Sequence, residues 1–195
     1  MKTKLQQAML KIAKLAIEEG FTGNVLIDKP YYLRFYPELG QEGAVFVTLN
    51  IIQDGQEVLR GCIGSIIPRR SLIDDIIHNA KAAAFSDPRF PPLQPEETKS
   101  LEVEISLLSL PEKVEYDNIV ELASIIVPGK HGVILKYGGY QATFLPQVWE
   151  NFPDFETFFE HLCQKAGLPG NCLTYHPEIY LYEVKEFKEL WNNIR

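Results

Sequence analysis

Several features are scarce in this chain, and each scarcity excludes something. No apolar run approaches the roughly 20 residues that a membrane span requires. The first residues lack the apolar core of a signal peptide, because Lys2, Lys4, Gln6, Gln7 and Lys11 interrupt them. Cysteine is rare: Cys62, Cys163 and Cys172 are odd in number and scattered, so no disulfide framework is expected. A reducing, cytoplasmic setting is the simplest expectation from that usage. There is no Cys-x-x-Cys and no His/carboxylate set at ligand spacing, which argues against a sequence-local zinc site. Basic residues are outnumbered, 19 against 26 acidic, for a formal net charge of −7. That balance disfavours non-specific binding to nucleic acid or to anionic membrane. No internal repeat, low-complexity tract or flexible linker interrupts the chain.

What is present is the composition of a globular protein, with 46% hydrophobic and 23% charged residues. Its 195 residues suffice for one large domain or two small ones sharing a cleft. Thr3 can cap a helix from about Lys4 to Glu19, with Leu5, Ala8, Met9, Ile12, Leu15 and Ala16 at helical spacing and Gly20 as the stop. Phe21 to Gly43 reads as a surface excursion, with a turn at Asp28-Lys29-Pro30 and a short strand through Tyr31, Leu33 and Phe35. Ala44–Gln53 and Glu57–Gly64 read as two arms of a hairpin turned by Asp54-Gly55. Ser71 opens a second helix in a Ser-x-x-Asp box, with Asp74 and Asp75 suited to its positive end. Asp87-Pro88 ends it, and Arg89-Phe90-Pro91-Pro92-Leu93 follows as a stiff loop.

Leu101, Val103, Ile105 and Leu107 alternate as a strand that Pro111 closes. A short helix spans Ile119 to Ile125. Val133–Tyr137 and Tyr140–Leu145 flank Gly138-Gly139 as a second hairpin. Asp154 caps an aromatic-striped helix that carries Cys163, read as core, and ends at Gly167. Ile179–Val184 is read as a last strand and Glu186–Ile194 as a last helix. Helices interspersed among antiparallel hairpins define an α+β fold: an antiparallel sheet with flanking helices.

The most pointed stretch is LRGCIGS, Leu59 to Ser65. Simple alternation sets Arg60 and Cys62 on one strand face. Gly61 and Gly64 then leave room there for a backbone or a small ligand to approach.

This stretch resembles the signature of the AMMECR domain family, also known as AmmeMemoRadiSam system protein A. Further agreement runs in order through AAFSDPRFPPL (Ala83 to Leu93), LEVEISLLSLPE (Leu101 to Glu112), PGKHGVIL (Pro128 to Leu135), GGYQATFLPQVW (Gly138 to Trp149) and FFEHLCQKAGLP (Phe158 to Pro169). The resemblance implies a single domain over 1–195, built of two interleaved subdomains, a larger and a smaller, that share a cleft. It also implies a radical-SAM protein and a Memo-like, dioxygenase-like protein as partners. It supplies no reaction. The motif residues that carry over are Arg60, Gly61, Cys62, Gly64, Arg89, Phe90, His131, Gly132, Pro146 and Gln147. Many relatives have Arg after the second hairpin glycine; Tyr140 stands there in this chain, which leaves the role of a cation at that place open.

Each candidate has a sharper and a plainer reading. Cys62 is a thiolate nucleophile or ligand contact with Arg60 as its anion-stabilising neighbour, or a buried small hydrophobe. Arg60 binds a carboxylate or phosphate in a fork, or pairs with a strand carboxylate such as Glu102 or Glu104. Arg89 is a second anion clamp, or a loop–sheet ion pair. His131 is an acid/base for Cys62, or a ring bonded to nearby backbone. Gln147 orients a ligand through its amide, or ties down a junction. Together they outline a ligand-binding or catalytic site for an anionic or carbonyl-bearing small molecule, with catalytic Cys62 and His131. Arg60, Gly61, Gly64, Arg89 and Gln147 would bind the ligand, with no metal. The alternatives are a non-catalytic adaptor for the two partners and, against the acidic balance, an RNA-modification factor.

Overall fold

A computed structural model describes residues 2–195 and divides into two compact units. The first comprises the chain up to Leu108 together with Lys185–Arg195; the second is Ser109–Val184. The class is α+β, as expected: antiparallel strands with helices packed on them.

In the first unit, α1 (Lys4–Thr22) begins with a reciprocal capping box between Thr3 and Gln6. It runs past Gly20, contrary to the stop expected there. Gly20 is instead where the ring of Phe85 lies against the helix, and an added Cβ would sit 2.1 Å from that ring. The turn comes at Gly23, whose φ of 72° lets its N–H reach back to Glu19 O. The Tyr31–Phe35 stretch is not a strand. Asp28 accepts from the Tyr31 N–H and Pro30 sits in the first turn, so Lys29–Phe35 forms a short helix, α2.

The β1 (Ala44–Gln53) and β2 (Gln56–Gly64) hairpin forms at the expected turn, where Asp54 and Gly55 both take positive φ. Strand β3 (Leu101–Leu108) pairs on the other side of β1. Helix α3 (Leu72–Phe85) and α1 cover one face of these strands. Met9, Ile12, Ala13, Ile76, Ala80, Val47, Leu49 and Val103 are sealed between them. Asp75 does more than suit the helix dipole. It is 1% exposed and accepts from the Val45 N–H, the Ser65 hydroxyl and the Asn79 amide, locking α3 to β1.

In the second unit, β5 (His131–Tyr137) lies between β6 (Tyr140–Phe144) and β7 (Glu178–Leu190). A three-residue strand, β4 (Glu112–Val114), pairs with β7 beyond Pro111. Helix α4 (Ile119–Ile125) forms as expected, and α5 (Phe155–Lys165) is capped by Asp154. The α5 stripe buries Phe158, Phe159 and Leu162 among Val133, Leu135, Ile179 and Trp149.

Two expectations fail at the C-terminal end of the chain. Cys163 is buried as expected, but it is bonded to Cys172. Counting three cysteines could not reveal that two of them pair. The final helix is also absent. Residues 186–190 continue β7 into the first unit, and only Trp191–Asn193 make a turn of 3-10 helix. The cause is period two: Phe187 turns into the first core, while Lys188 pairs with Glu57 and Glu102.

Candidate functional site

The register of β2 on β1 slips by one residue at LRGCIGS. Leu49 faces Gly61 and Asn50 faces Leu59, so Arg60 has no partner and forms a β-bulge. Alternation therefore cannot be carried through this stretch, and the two side chains reach different surroundings. The Arg60 guanidinium grips Glu97 in a fork, Nε to Oε1 at 2.7 Å and Nη2 to Oε2 at 3.1 Å. It also donates to Pro91 O at 2.9 Å. Its partner is thus Glu97, in the 3-10 turn Pro95–Ser100, rather than Glu102 or Glu104. Glu97 is held below its ordinary range by that guanidinium.

Cys62 is the free cysteine and is half-buried. The Thr48 hydroxyl, directly across on β1, donates to its Sγ at 3.3 Å. Its backbone is clasped by the loop that follows α3. Asp87 Oδ2 accepts from the Cys62 N–H at 2.9 Å, and Arg89 Nη2 donates to Cys62 O at 3.3 Å. Asp87 and Arg89 therefore act on the outer edge of β2 as a neighbouring strand would. The two are also locked to each other: Arg89 Nε and Nη2 donate to Asp87 at 3.0 and 2.7 Å, and the Arg89 N–H adds a bond at 3.1 Å. The Asp87 carboxyl is driven well below the usual range by the Arg89 guanidinium, against a burial that favours its neutral form. Its side chain is 2% exposed, whereas that of Arg89 is 53% exposed. Phe90 completes the cluster, with the Arg89 and Arg60 guanidinium carbons 5.4 and 5.8 Å from its ring centre.

The glycines are filled positions. A Cβ on Gly61 would lie 2.2 Å from the Ala83 carbonyl oxygen of α3. One on Gly64 would lie 2.2 Å from the ring of Phe46, its cross-strand partner. Of the two approaches expected beside them, a backbone comes close at Gly61 and a side-chain ring at Gly64. Gly132 repeats the device, with the Tyr182 ring 2.3 Å from where its Cβ would be. The Tyr182 hydroxyl bonds Thr143 Oγ1 and Phe144 O, and burial pushes it up to about 12.

His131 and Gln147 belong to the second unit, whereas Cys62, Arg60 and Arg89 belong to the first. His131 Nδ1 accepts from the Val127 N–H at 3.1 Å, and the His131 carbonyl accepts from Trp149 Nε1 at 2.9 Å. The acceptor role fixes the neutral ring with its proton on Nε2. Burial first, and Lys130 second, push its pKa below 6.5. Gln147 is exposed in the 3-10 turn Pro146–Glu150.

A model of the AMMECR1 family matches residues 10–187. The chain belongs to the AMMECR1 family. A family protein from Methanothermobacter thermautotrophicus is 40% identical over 187 residues, covering 94% of this chain and 93% of its own. One from Methanosarcina acetivorans is 43% identical over 154 residues, covering 78% and 75%. The crystal structure of the uncharacterised protein PH0010 from Pyrococcus horikoshii aligns with a TM-score of 0.74 at 34% identity, covering 97% of this chain and 93% of that one.

For an AMMECR1 domain, then, the signature stretch is a bulged edge strand clasped by an Asp-Pro-Arg loop. Asp87 and Glu97 were missed in the sequence. Asp87-Pro88 reads as a helix terminator, although Asp-x-Arg spacing can place an acceptor and a guanidinium on one edge. Glu97 carries no local signal. Among the described residues, no group of three or more His, Cys, Asp or Glu is arranged to hold a metal ion, and no helix is long and apolar enough to cross a membrane.

Proposed function

We propose that this AMMECR1 protein is a ligand-binding domain that receives an anionic small molecule beside Cys62, working with a radical-SAM protein and a Memo-like partner. One observation carries this reading. Arg89 is fixed by a buried carboxylate yet leaves half its side chain exposed, bonded to the backbone carbonyl of the residue that carries the free thiol. A cation immobilised from behind loses little entropy when it meets an anion in front. Cys62 would be the contact or nucleophile, and the hydroxyl of Thr48 already donates to its sulfur. His131, in the second unit, keeps Nε2 as its donor, since Nδ1 is committed to backbone.

Arg60, Gly61 and Gly64 support a second reading, the non-catalytic adaptor, because their interactions are internal. Thiol alkylation separates the two. Cys62 is the free thiol, so its rates with iodoacetate and iodoacetamide compare an anionic with a neutral reagent at one atom. Because Asp87 offsets part of the Arg89 charge, the expected preference for iodoacetate over a small free thiol is modest, about two- to three-fold at low salt. Arg89→Lys keeps that preference and Arg89→Gln removes it. A ratio equal to that of the free thiol, unchanged in Arg89→Gln, would leave the adaptor reading standing and remove the anion site.

A further inference from the structure

We propose that the second unit carries a docking groove for a basic, apolar peptide segment of a partner protein. The groove measures about 530 Å³ and runs between the start of α4, one side of α5 and residues 170–174. Phe159 and Leu173 lie nearly sealed at its base, and Phe155 and Ile119 complete the apolar lining. The apolar surface continues outward, with Ile119 41% and the adjoining Val120 80% exposed. Exposed apolar side chains of this size beside a concave surface mark an interaction site more often than a solvated face.

Charge selects the occupant. Glu156 and Glu160 line the groove, and no lysine or arginine does. Glu160 is held in place: Gln164 Nε2 donates to its Oε1 at 3.3 Å, and Gly170 leaves space that a Cβ would take at 2.8 Å from Glu160 Cγ. The groove is also braced. Its α5 side carries Cys163 and its far side carries Cys172, and the bond between them joins the two. A rigid apolar trough with carboxylates on its rim complements a segment whose bulky apolar side chains enter while flanking lysines or arginines meet the rim. This reading is independent of the anion site at Arg89.

The test uses the full oxidised protein and a fluorescent peptide of about 12 residues, with Leu and Phe at helical spacing and Lys elsewhere. Its counterpart has Glu in place of Lys. Fluorescence anisotropy should show the Lys peptide binding at least about ten-fold more tightly at low salt, with the advantage shrinking as salt is raised. Glu156→Gln with Glu160→Gln should weaken it about five-fold, the worth of two exposed ion pairs. Ile119→Arg, at a site exposed enough to leave the fold intact by circular dichroism, should abolish binding. Equal binding of the Glu peptide, or indifference to the double Gln variant, overturns the proposal. So does sedimentation showing a self-associated protein that Ile119→Arg converts to monomer, because the groove would then belong to a second copy of this chain.

Discussion

Replacing Gly61 by Ala separates packing from ligand approach at the centre of the signature. The added Cβ would lie 2.2 Å from the Ala83 carbonyl oxygen and 3.1 Å from its carbon. Non-bonded heavy atoms rest at roughly 3.5 Å, so strand and helix must part by about 1 Å. Neither side yields easily, because both are backbone. The end of α3 is also tied to β2 through the Asp87–Cys62 and Arg89–Cys62 bonds. Overpacking costs typically about 1–3 kcal/mol, and two anchored backbones put this case near 3. Alanine recovers a fraction of that by restricting the unfolded chain, leaving about 2–3 kcal/mol. For a chain of this size the melting temperature should fall by about 5–10 °C. Gly139→Ala is the control: nothing lies within 4 Å of its added Cβ, and the change should stay within about 0.5 kcal/mol. Urea and thermal unfolding of both variants measure the difference. A Gly61→Ala protein as stable as the parent, but with altered alkylation of Cys62, would refute the packing account and return Gly61 to the ligand.

Other contacts give outcomes of their own. Asp87→Ala should cost about 1–3 kcal/mol in urea unfolding, because the Cys62 N–H loses its acceptor, while the half-exposed Arg89 fork is taken over by water. Since the folded carboxyl titrates below the unfolded value near 3.9, its contribution is complete above that pH and lost as pH falls through the folded value. Asp87→Asn should accordingly flatten the acid side of the stability profile. Thiol titration of the denatured, unreduced chain should find Cys62 alone; three thiols would remove the Cys163–Cys172 bond. Breaking that bond, which joins residues nine apart, should cost about 2.7 kcal/mol on the chain-entropy account. Nitrogen-15 NMR of His131 should show the Nε2–H tautomer titrating below 6.5, and a protonated Nδ1 at neutral pH would contradict its bond from Val127.

Where a structural cause was local, the sequence displayed it. Thr3, Ser71 and Asp154 cap the helices expected to follow them, and Asp54-Gly55 turns the expected hairpin. Where the cause lay far along the chain, the local pattern misled. Glu186 to Ile194 holds enough good helix formers to pass for a helix, yet Phe187 is claimed by a core assembled from the first hundred residues. Tyr31, Leu33 and Phe35 alternate like a strand, but the cap at Asp28 and the fixed φ of Pro30 favour a helical turn. At the candidate site, Arg89 and Cys62 were legible because family resemblance marks both. The bulge at Arg60 was not, because a register slip is a property of two strands together.

The signature joins two requirements that need not share a purpose. Gly61, Gly64 and the Arg60–Glu97 fork seat β2 against α3, Phe46 and the turn at residues 95–100, and any protein keeping this packing must keep them. A strand edge needs only hydrogen-bond partners, and many side chains or a simple loop backbone can supply them. The loop here uses a buried carboxylate to aim a guanidinium, and leaves the Arg89 side chain half in solvent against the Cys62 carbonyl. Burying Asp87 carries a desolvation cost that a backbone carbonyl would avoid, and its compensation is the fixed orientation of Arg89. Orientation of an exposed cation adds little to folding, because exposed pairs contribute little. It adds a great deal to meeting an anion. That imbalance is the physical ground for proposing an anion contact at Arg89 rather than at Arg60.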